Sequence, residues 1–381
     1  MRFLHTADWH LGRHFHNVSL VDDQAHVLQQ FLDLAKDAKV DAIVIAGDIY
    51  DRALPPPEAV SLLDGFWSQL VVDLGIPVIM IAGNHDSADR LSFGAKLLEK
   101  SACHIVGHVS DNLNSIALSD EHGPVHFLGL PYAEPAVVRE RTKEKDLHSH
   151  DEVMQHLTAL AAAAVPNSDR SVLLSHCFVA GGSESESERP LSVGGAGTVS
   201  SKRFEPFSYT ALGHLHRPQK ASKKAHYSGS LLKYSFSEID HQKSVNLVEL
   251  DKKGAIKLEQ VCLTPRRDLR AIEGHFVDLL EGPALGESRD DYLLVRLTDT
   301  EAIFDPMGRL REVYPNVLHL ERPALVQAAQ QASLTPSKSE SDEALFASFF
   351  QQVTGMPLND AQQKVFHEVL EALRSAERES G

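Results

Sequence analysis

The sequence is poor in cysteine, in basic residues and in long apolar runs. Only three cysteines occur in 381 residues, Cys103, Cys177 and Cys262, far apart and in no metal-finger spacing. That excludes a disulfide framework and a zinc ribbon, and it fits a reducing, cytoplasmic setting. No apolar run approaches the length that spans a bilayer, so no membrane partner is expected; the longest, Leu157 to Val165, reads as a buried helix. Met1-Arg2-Phe3-Leu4-His5 leads straight into polar Thr6 and Asp8, with no signal-peptide core. Lys and Arg number 37 against 53 Asp and Glu, a formal net charge of −16, which excludes generic coating of nucleic acid by the overall field. Local phosphate contacts remain open.

Apolar content of 43% and charged content of 24% describe a folded globular chain, long enough for one large domain with smaller appendages. What stands out is a set of short polar stretches, each arriving after a short apolar run: Asp8-Trp9-His10, Gly47-Asp48, Gly83-Asn84-His85-Asp86, Ser175-His176, Gly213-His214 and His216. The preceding runs, such as Ala42 to Ala46 and Val78 to Ala82, read as buried strands. In α/β sheets, ligands gather at the carboxyl ends of strands, so these residues are expected to meet in one crevice.

In chain order, the apolar spacing of Val27, Leu28, Phe31, Leu32 and Ala35 predicts a helix over 24–38, and Pro55-Pro56-Pro57 opens a second. A third is expected over 91–100. Strand, helix, strand, helix, strand describes an α/β, largely parallel sheet. The strand-rich stretch from Ile105 to Leu130 is expected to form a second layer. The Gly/Ser-rich stretch 180–201 reads either as a mobile wall of the active site or as a flexible insert. His148 and His150 lie in a charged run and are not expected to be ligands. The boundaries expected are a catalytic domain over 1–264, a small α+β domain over 265–330, a polar linker over 331–341 and a helical hairpin over 342–376. Asn359 and Gln362 have capping-box spacing in that hairpin. Its apolar stripes either pack on their own domain or dock a partner.

Oxygen and imidazole donors without thiolates suit Mn²⁺, Fe²⁺ or Zn²⁺. Asp48 is the candidate bridge between two cations. Asp8, His10 and one late histidine would complete the first, and Asn84, His176 and the other late histidine the second. In an extended backbone, His214 and His216 would point to one side. Such a pair binds a phosphoryl group and lowers the pKa of a bridging water. His85 is the candidate proton donor to the leaving oxygen, with Asp51 a candidate to orient it. Arg217, Lys220, Lys223 and Lys224 follow the last ligands, while Arg13, Arg52 and Arg90 flank the others; all seven are candidate contacts to DNA phosphates.

Asp-x-His, Gly-Asp-x-x-Asp, Gly-Asn-His-Asp, a lone His and Gly-His-x-His, in that order, resemble the calcineurin-like metallophosphoesterase superfamily. Longer blocks, His5 to Gly12, Ile81 to Ser87, Val179 to Gly182 with Ser187-Glu188-Arg189-Pro190, Ala211 to Gln219 and Tyr227 to Ser230, resemble its SbcD family, nuclease subunits of bacterial SbcCD complexes. The likeness is dense over roughly the first 240 residues. It implies a four-layer sandwich of two mixed β-sheets between helices, a small capping domain, and a C-terminal hairpin that docks on an SbcC-type coiled-coil ATPase. It also implies two Mn²⁺ ions, with Mg²⁺ or another divalent metal as substitutes, and ATP only through the partner subunit. The activity implied is an ATP-dependent double-strand exonuclease and single-strand endonuclease, acting as a dimer within a heterotetramer. Helices around 57–72 and 88–100 are the dimer contacts the resemblance suggests. The alternatives are a phosphomonoesterase or cyclic-nucleotide phosphodiesterase using the same metals, and a non-catalytic structural subunit.

Overall fold

The computed structural model describes all residues except 167–168, 189–196, 302, 325–340, 355 and 380–381, with the main chain only for 352–353 and 374–379. The expected linker over 331–341 thus lies outside the described residues apart from Ser341. The chain divides into two compact units, Met1–Arg266 and Arg267–Gly381.

The first unit carries strands β1 (Arg2–Thr6), β2 (Ala42–Ala46), β3 (Val78–Ile81), β4 (Cys103–Val106), β5 (Ile116–Asp120), β6 (Gly123–Leu130), β7 (Arg170–His176), β8 (Tyr209–Gly213), β9 (Gln219–Lys220), β10 (Ala225–Tyr227), β11 (Ser244–Leu250) and β12 (Ile256–Cys262). They form two six-stranded sheets, ordered β12-β11-β1-β2-β3-β4 and β9-β10-β8-β7-β6-β5. The middle of each is parallel, and antiparallel pairs lie at the β12 edge of the first sheet and at both edges of the second, so both sheets are mixed.

Strand periodicity decides what each face meets. Phe3, Val44, Ile79 and Ile81 from the first sheet and Phe127, Val172, Leu174 and Tyr209 from the second share one apolar cluster between the sheets. Alternate residues Leu128, Leu173 and Leu212 join Val153, Met154, Leu157 and Ala161 of α4 (His150–Ala163) on the outer face of the second sheet. Beside the first sheet, α1 (Val21–Asp37) buries Val27, Leu28 and Phe31, and α2 (Pro57–Trp67) buries Leu63 and Phe66. Trp9 sets its ring edge-on to both Phe31 and Phe66, at 6.3 and 5.1 Å. The result is helix, sheet, sheet, helix; α3 (Pro135–Thr142) precedes α4.

Two expectations change. Cys103–Val106 does not start the second layer; it pairs parallel with β3 and closes the edge of the first sheet. The helix expected over 91–100 breaks into single turns at Ala88–Leu91 and Ala95–Leu98, because Gly94 between them is left-handed at φ 74°. In the second sheet, β10 ends at Tyr227, and Gly229 turns the chain at φ 76°.

The second unit has a three-stranded parallel sheet of β13 (Leu269–Gly274), β14 (Tyr292–Leu297) and β15 (Val317–Glu321), with β14 central. Phe276 of α5 (Phe276–Leu279) and Leu310 of α6 (Pro306–Val313) share a core with Leu293 and Val295. Helices α7 (Asp342–Thr354) and α8 (Asp360–Glu379) follow. The Asn359–Gln362 capping box forms, with reciprocal main-chain bonds of 3.0 and 2.9 Å.

Candidate metal centre

Seven predicted ligands converge where the carboxyl ends of the two sheets meet. Asp8 and His10 follow β1, Asp48 follows β2, Asn84 follows β3, His176 ends β7, and His214 and His216 follow β8. The sheets can approach here because side chains are missing where the backbones cross. A Cβ on Gly213 would lie 2.0 Å from the Ala46 carbonyl oxygen, and one on Gly83 would lie 2.1 Å from Asp48 Oδ1. Asp8, His10, Asp48 and His214 all have positive φ, at 55°, 48°, 51° and 102°. Non-glycine residues persist in that region only where surrounding contacts over-determine them, and such strain gathers at functional sites.

Those contacts are visible. Both Asp8 oxygens accept from the His214 amide, at 2.9 and 3.1 Å. The His85 amide donates to Asp48 Oδ1 at 2.8 Å. Asp86, missed as a functional residue by the sequence reading, accepts from the amides of Ile49, Tyr50 and Gly83, and so binds the loop after β2 to the loop after β3. His176 Nδ1 donates to the Ala46 carbonyl at 2.8 Å, turning Nε2 toward Asn84 Oδ1 at 2.9 Å and Asp48 Oδ2 at 3.4 Å.

Asp48 Oδ2 is central, lying 3.7 Å from His10 Nε2 and 4.0 Å from His85 Nε2 as well. His10 Nε2 faces His216 Nε2 at 3.0 Å, and His10 Nδ1 has no hydrogen-bond partner among the described residues. Asp8, His10, His176 and His216 are essentially inaccessible. Three trios have ligand atoms close enough to share an ion: Asp8, His10 and His216; Asp8, Asp48 and His176; and His10, Asp51 and His85. Buried imidazole lone pairs turned toward one another and toward carboxylate oxygens fit divalent cations.

The electrostatics agree. Burial opposes a charge on His176, but Asp48 and then Asp8 outweigh it and raise its pKa to about 9. Burial also raises Asp48, yet the facing His176 holds it well below the usual carboxylate range. At His10 burial outweighs the facing Asp51 and Asp48 carboxylates and lowers the pKa to about 4.

The run Gly213 to His216 is not extended, because His214 sits at φ 102°. Its ring goes to Asn84 Oδ1 at 3.2 Å, while that of His216 goes to His10. His85 is buried beside His10, ring centroids 4.6 Å apart. Its Nδ1 meets the main-chain oxygen of Asp51 at 2.8 Å. The Asp51 carboxylate instead faces Arg13 at 3.1 Å and His10 Nδ1 at 3.6 Å. Arg13 reaches over the Tyr234 ring at 5.1 Å. Arg52, Arg90, Arg217, Lys220 and Lys223 are exposed, and Lys224 caps the Glu205 carbonyl at 2.9 Å. His150 packs near Tyr132 and Glu134. The structure adds Ser187, Glu188, Glu238 and Lys243 around His216; no local pattern marks Glu238 or Lys243 as buried.

A family model described as calcineurin-like phosphoesterase matches residues 1–218, and one described as type 5 capsule protein repressor C-terminal domain matches residues 265–354. The chain is 33% identical over 363 residues to the SbcD subunit of the SbcCD nuclease of Staphylococcus epidermidis, covering 95% of this chain and 96% of that protein. It is 34% identical over 376 residues to the subunit of the same name from Staphylococcus saprophyticus, covering 98% of each. A dimetal phosphatase from Danio rerio overlays at a TM-score of 0.41 with 14% identity, covering 69% of this chain and 99% of that one, too loosely to argue from. With its ligand-bearing strand ends and these relatives along nearly its whole length, the chain belongs to the calcineurin-like phosphoesterase family, on the branch of the SbcD nuclease subunits.

Proposed function

We propose that this chain is the Mn²⁺-dependent DNA nuclease subunit of an SbcCD-type complex, hydrolysing phosphodiesters during the processing of DNA ends and hairpins. The observation that carries this reading is the convergence of Asp8, His10, Asp48, Asn84, His176, His214 and His216 from both sheets on one buried locus, with Asp48 within 4.0 Å of three histidines. Asp8, His10 and His216 would hold one cation; Asn84, His176 and His214 would hold the other; Asp48 would touch both. When bound, the pair neutralises charge on phosphorus and supplies hydroxide at neutral pH.

The protein's own share is positioning and proton control. His85 Nδ1 is committed to the Asp51 carbonyl, so Nε2 is the nitrogen that exchanges a proton with the leaving oxygen. Asp51 acts through that main-chain oxygen, and its carboxylate holds Arg13 against Tyr234. Exposed Arg52, Arg90, Arg217, Lys220 and Lys223, with Arg13 and Lys224, would hold backbone phosphates without reading sequence.

Partner docking belongs to the hairpin over 342–376, with 265–330 as the capping domain. Phe346 stacks on Phe366 at 3.8 Å, while Leu345, Phe349, Met356, Val365, Val369 and Leu373 stay exposed, an apolar surface suited to an SbcC-type coiled coil. Through that ATPase the complex would act as an ATP-dependent double-strand exonuclease, besides single-strand endonuclease action. Exposed Val60, Val72, Phe93 and Leu97 support a homodimer contact through 57–72 and 88–100, giving a heterotetramer.

The test is Mn²⁺-dependent cleavage of single-stranded and blunt duplex DNA beside a small phosphomonoester, with Asp48→Ala as control. DNA cleavage lost in the variant is expected. Phosphomonoester turnover without DNA cleavage, by the chain alone and with its ATPase partner, overturns the nuclease reading.

A further inference from the structure

We infer that Glu238, charge-paired with Lys243, is the positioning residue that fixes the ring of His216 as an Nε2 donor to the metal centre. This rests on the metal-site reading above and names residues that do not themselves face the cations.

Every polar group of His216 is tied down. Its amide donates to Glu188 Oε1 at 2.7 Å, and its carbonyl accepts from Lys243 Nζ at 2.8 Å. On the ring, Nδ1 lies 2.5 Å from Ser187 Oγ and 3.3 Å from Glu238 Oε1, and Ser187 Oγ in turn donates to that same carboxylate oxygen. A carboxylate only accepts, so the hydrogens order in one direction: the ring Nδ1–H donates to Ser187 and the serine hydroxyl donates to Glu238. Nε2 is then left as a bare lone pair, turned toward His10 Nε2 and grouped with Asp8. Were Nδ1 unprotonated, two acceptors would face each other in a buried site.

Glu238 is itself immobilised. It is fully buried; Oε1 also accepts from Ser185 Oγ at 2.8 Å, while Oε2 accepts from the Tyr234 amide at 3.1 Å and from Lys243 Nζ at 2.7 Å. Lys243 Nζ makes a third bond, to Ser230 Oγ at 2.9 Å. The pair thus grips the ring of His216 through one member and its main chain through the other. A metal-binding imidazole whose second nitrogen is held by a carboxylate has a fixed tautomer and orientation, and loss of the outer partner weakens metal binding by about 10- to 100-fold.

The experiment titrates the full-length, metal-free chain with Mn²⁺ alone by calorimetry, for wild type, Glu238→Gln and Glu238→Asp. It is accompanied by ¹⁵N-histidine NMR of the metal-free proteins. Wild type should bind two ions and show His216 as the Nδ1–H tautomer. In Glu238→Gln one of the two ions should bind about 10- to 100-fold more weakly, the other as in wild type, with His216 shifting to a tautomer mixture. Glu238→Asp keeps the charge beside Lys243 and so guards against misfolding; its carboxylate is one methylene shorter, and the same loss should appear in smaller degree. Both variants binding Mn²⁺ as wild type does, with the His216 tautomer unchanged, would overturn the assignment. Fewer than two ions on wild type would undo the two-metal reading instead, and the His216 tautomer would still decide the role of Glu238.

Discussion

Lys243→Met should destabilise the first unit by roughly 3–5 kcal/mol, the cost of leaving a buried charge without its partner. Lys243 is 5% exposed and Glu238 fully buried. Methionine nearly fills the space of the lysine stem, so packing changes little. What disappears is the ammonium with its bonds to Glu238, the His216 carbonyl and Ser230, and the Glu238 carboxylate then sits uncompensated in the interior. The two tryptophans, Trp9 and Trp67, both lie in the first unit, so urea unfolding followed by their fluorescence reports that unit alone. The measurement belongs in EDTA, where metal binding adds nothing to stability. The double variant Glu238→Gln/Lys243→Met, which has no charge left to strand, should recover most of the loss. A single variant weaker by less than about 1 kcal/mol, or a double variant no better than the single, would refute the argument that this pair is interdependent.

Three further outcomes are expected. His85→Gln should slow DNA cleavage by about 10²- to 10⁴-fold with the Mn²⁺ content unchanged, and an unaltered rate would remove His85 from the chemistry. In the metal-free protein, His176 carries a pKa raised from 6.5 to about 9. The stability it contributes is therefore complete below pH 6.5 and is lost as pH rises through 9, a fall of about 3 kcal/mol that should be absent in His176→Gln. Equal pH slopes in the two proteins would show that the proton is not held there. Deleting residues 342–381 should abolish co-purification with an SbcC-type ATPase while sparing Mn²⁺ binding; a complex that survives the deletion moves the docking surface elsewhere.

Which residues would meet was legible before any fold was known. Each ligand follows a short apolar run, and a buried parallel strand makes that pattern readable, since its carboxyl end is where the chain leaves the sheet. The Gly-Asp, Gly-Asn and Gly-His pairs were legible as motifs, and the structure supplies their reason: at Gly83 and Gly213 a Cβ would strike Asp48 or the Ala46 carbonyl. The capping box at Asn359 and Gln362 was equally local, four consecutive residues sufficing to define it.

The remaining features depend on contacts between residues far apart in the chain, which no local pattern encodes. Cys103–Val106 reads as one more short strand; its place at the edge of the first sheet comes from pairing with β3. The spacing of His214 and His216 suggested one direction for both rings, but the amide of His214 is captured by Asp8, 206 residues away, and the turn that this requires sends the rings apart. Asp51 was legible as a neighbour of His85, whereas the atom that meets the imidazole is its carbonyl and not its carboxylate. Glu238 and Lys243 carried no signal at all. A charged residue five positions from its partner is ordinary on a surface, and only the closing of both sheets around His216 buries the pair and gives each charge its use.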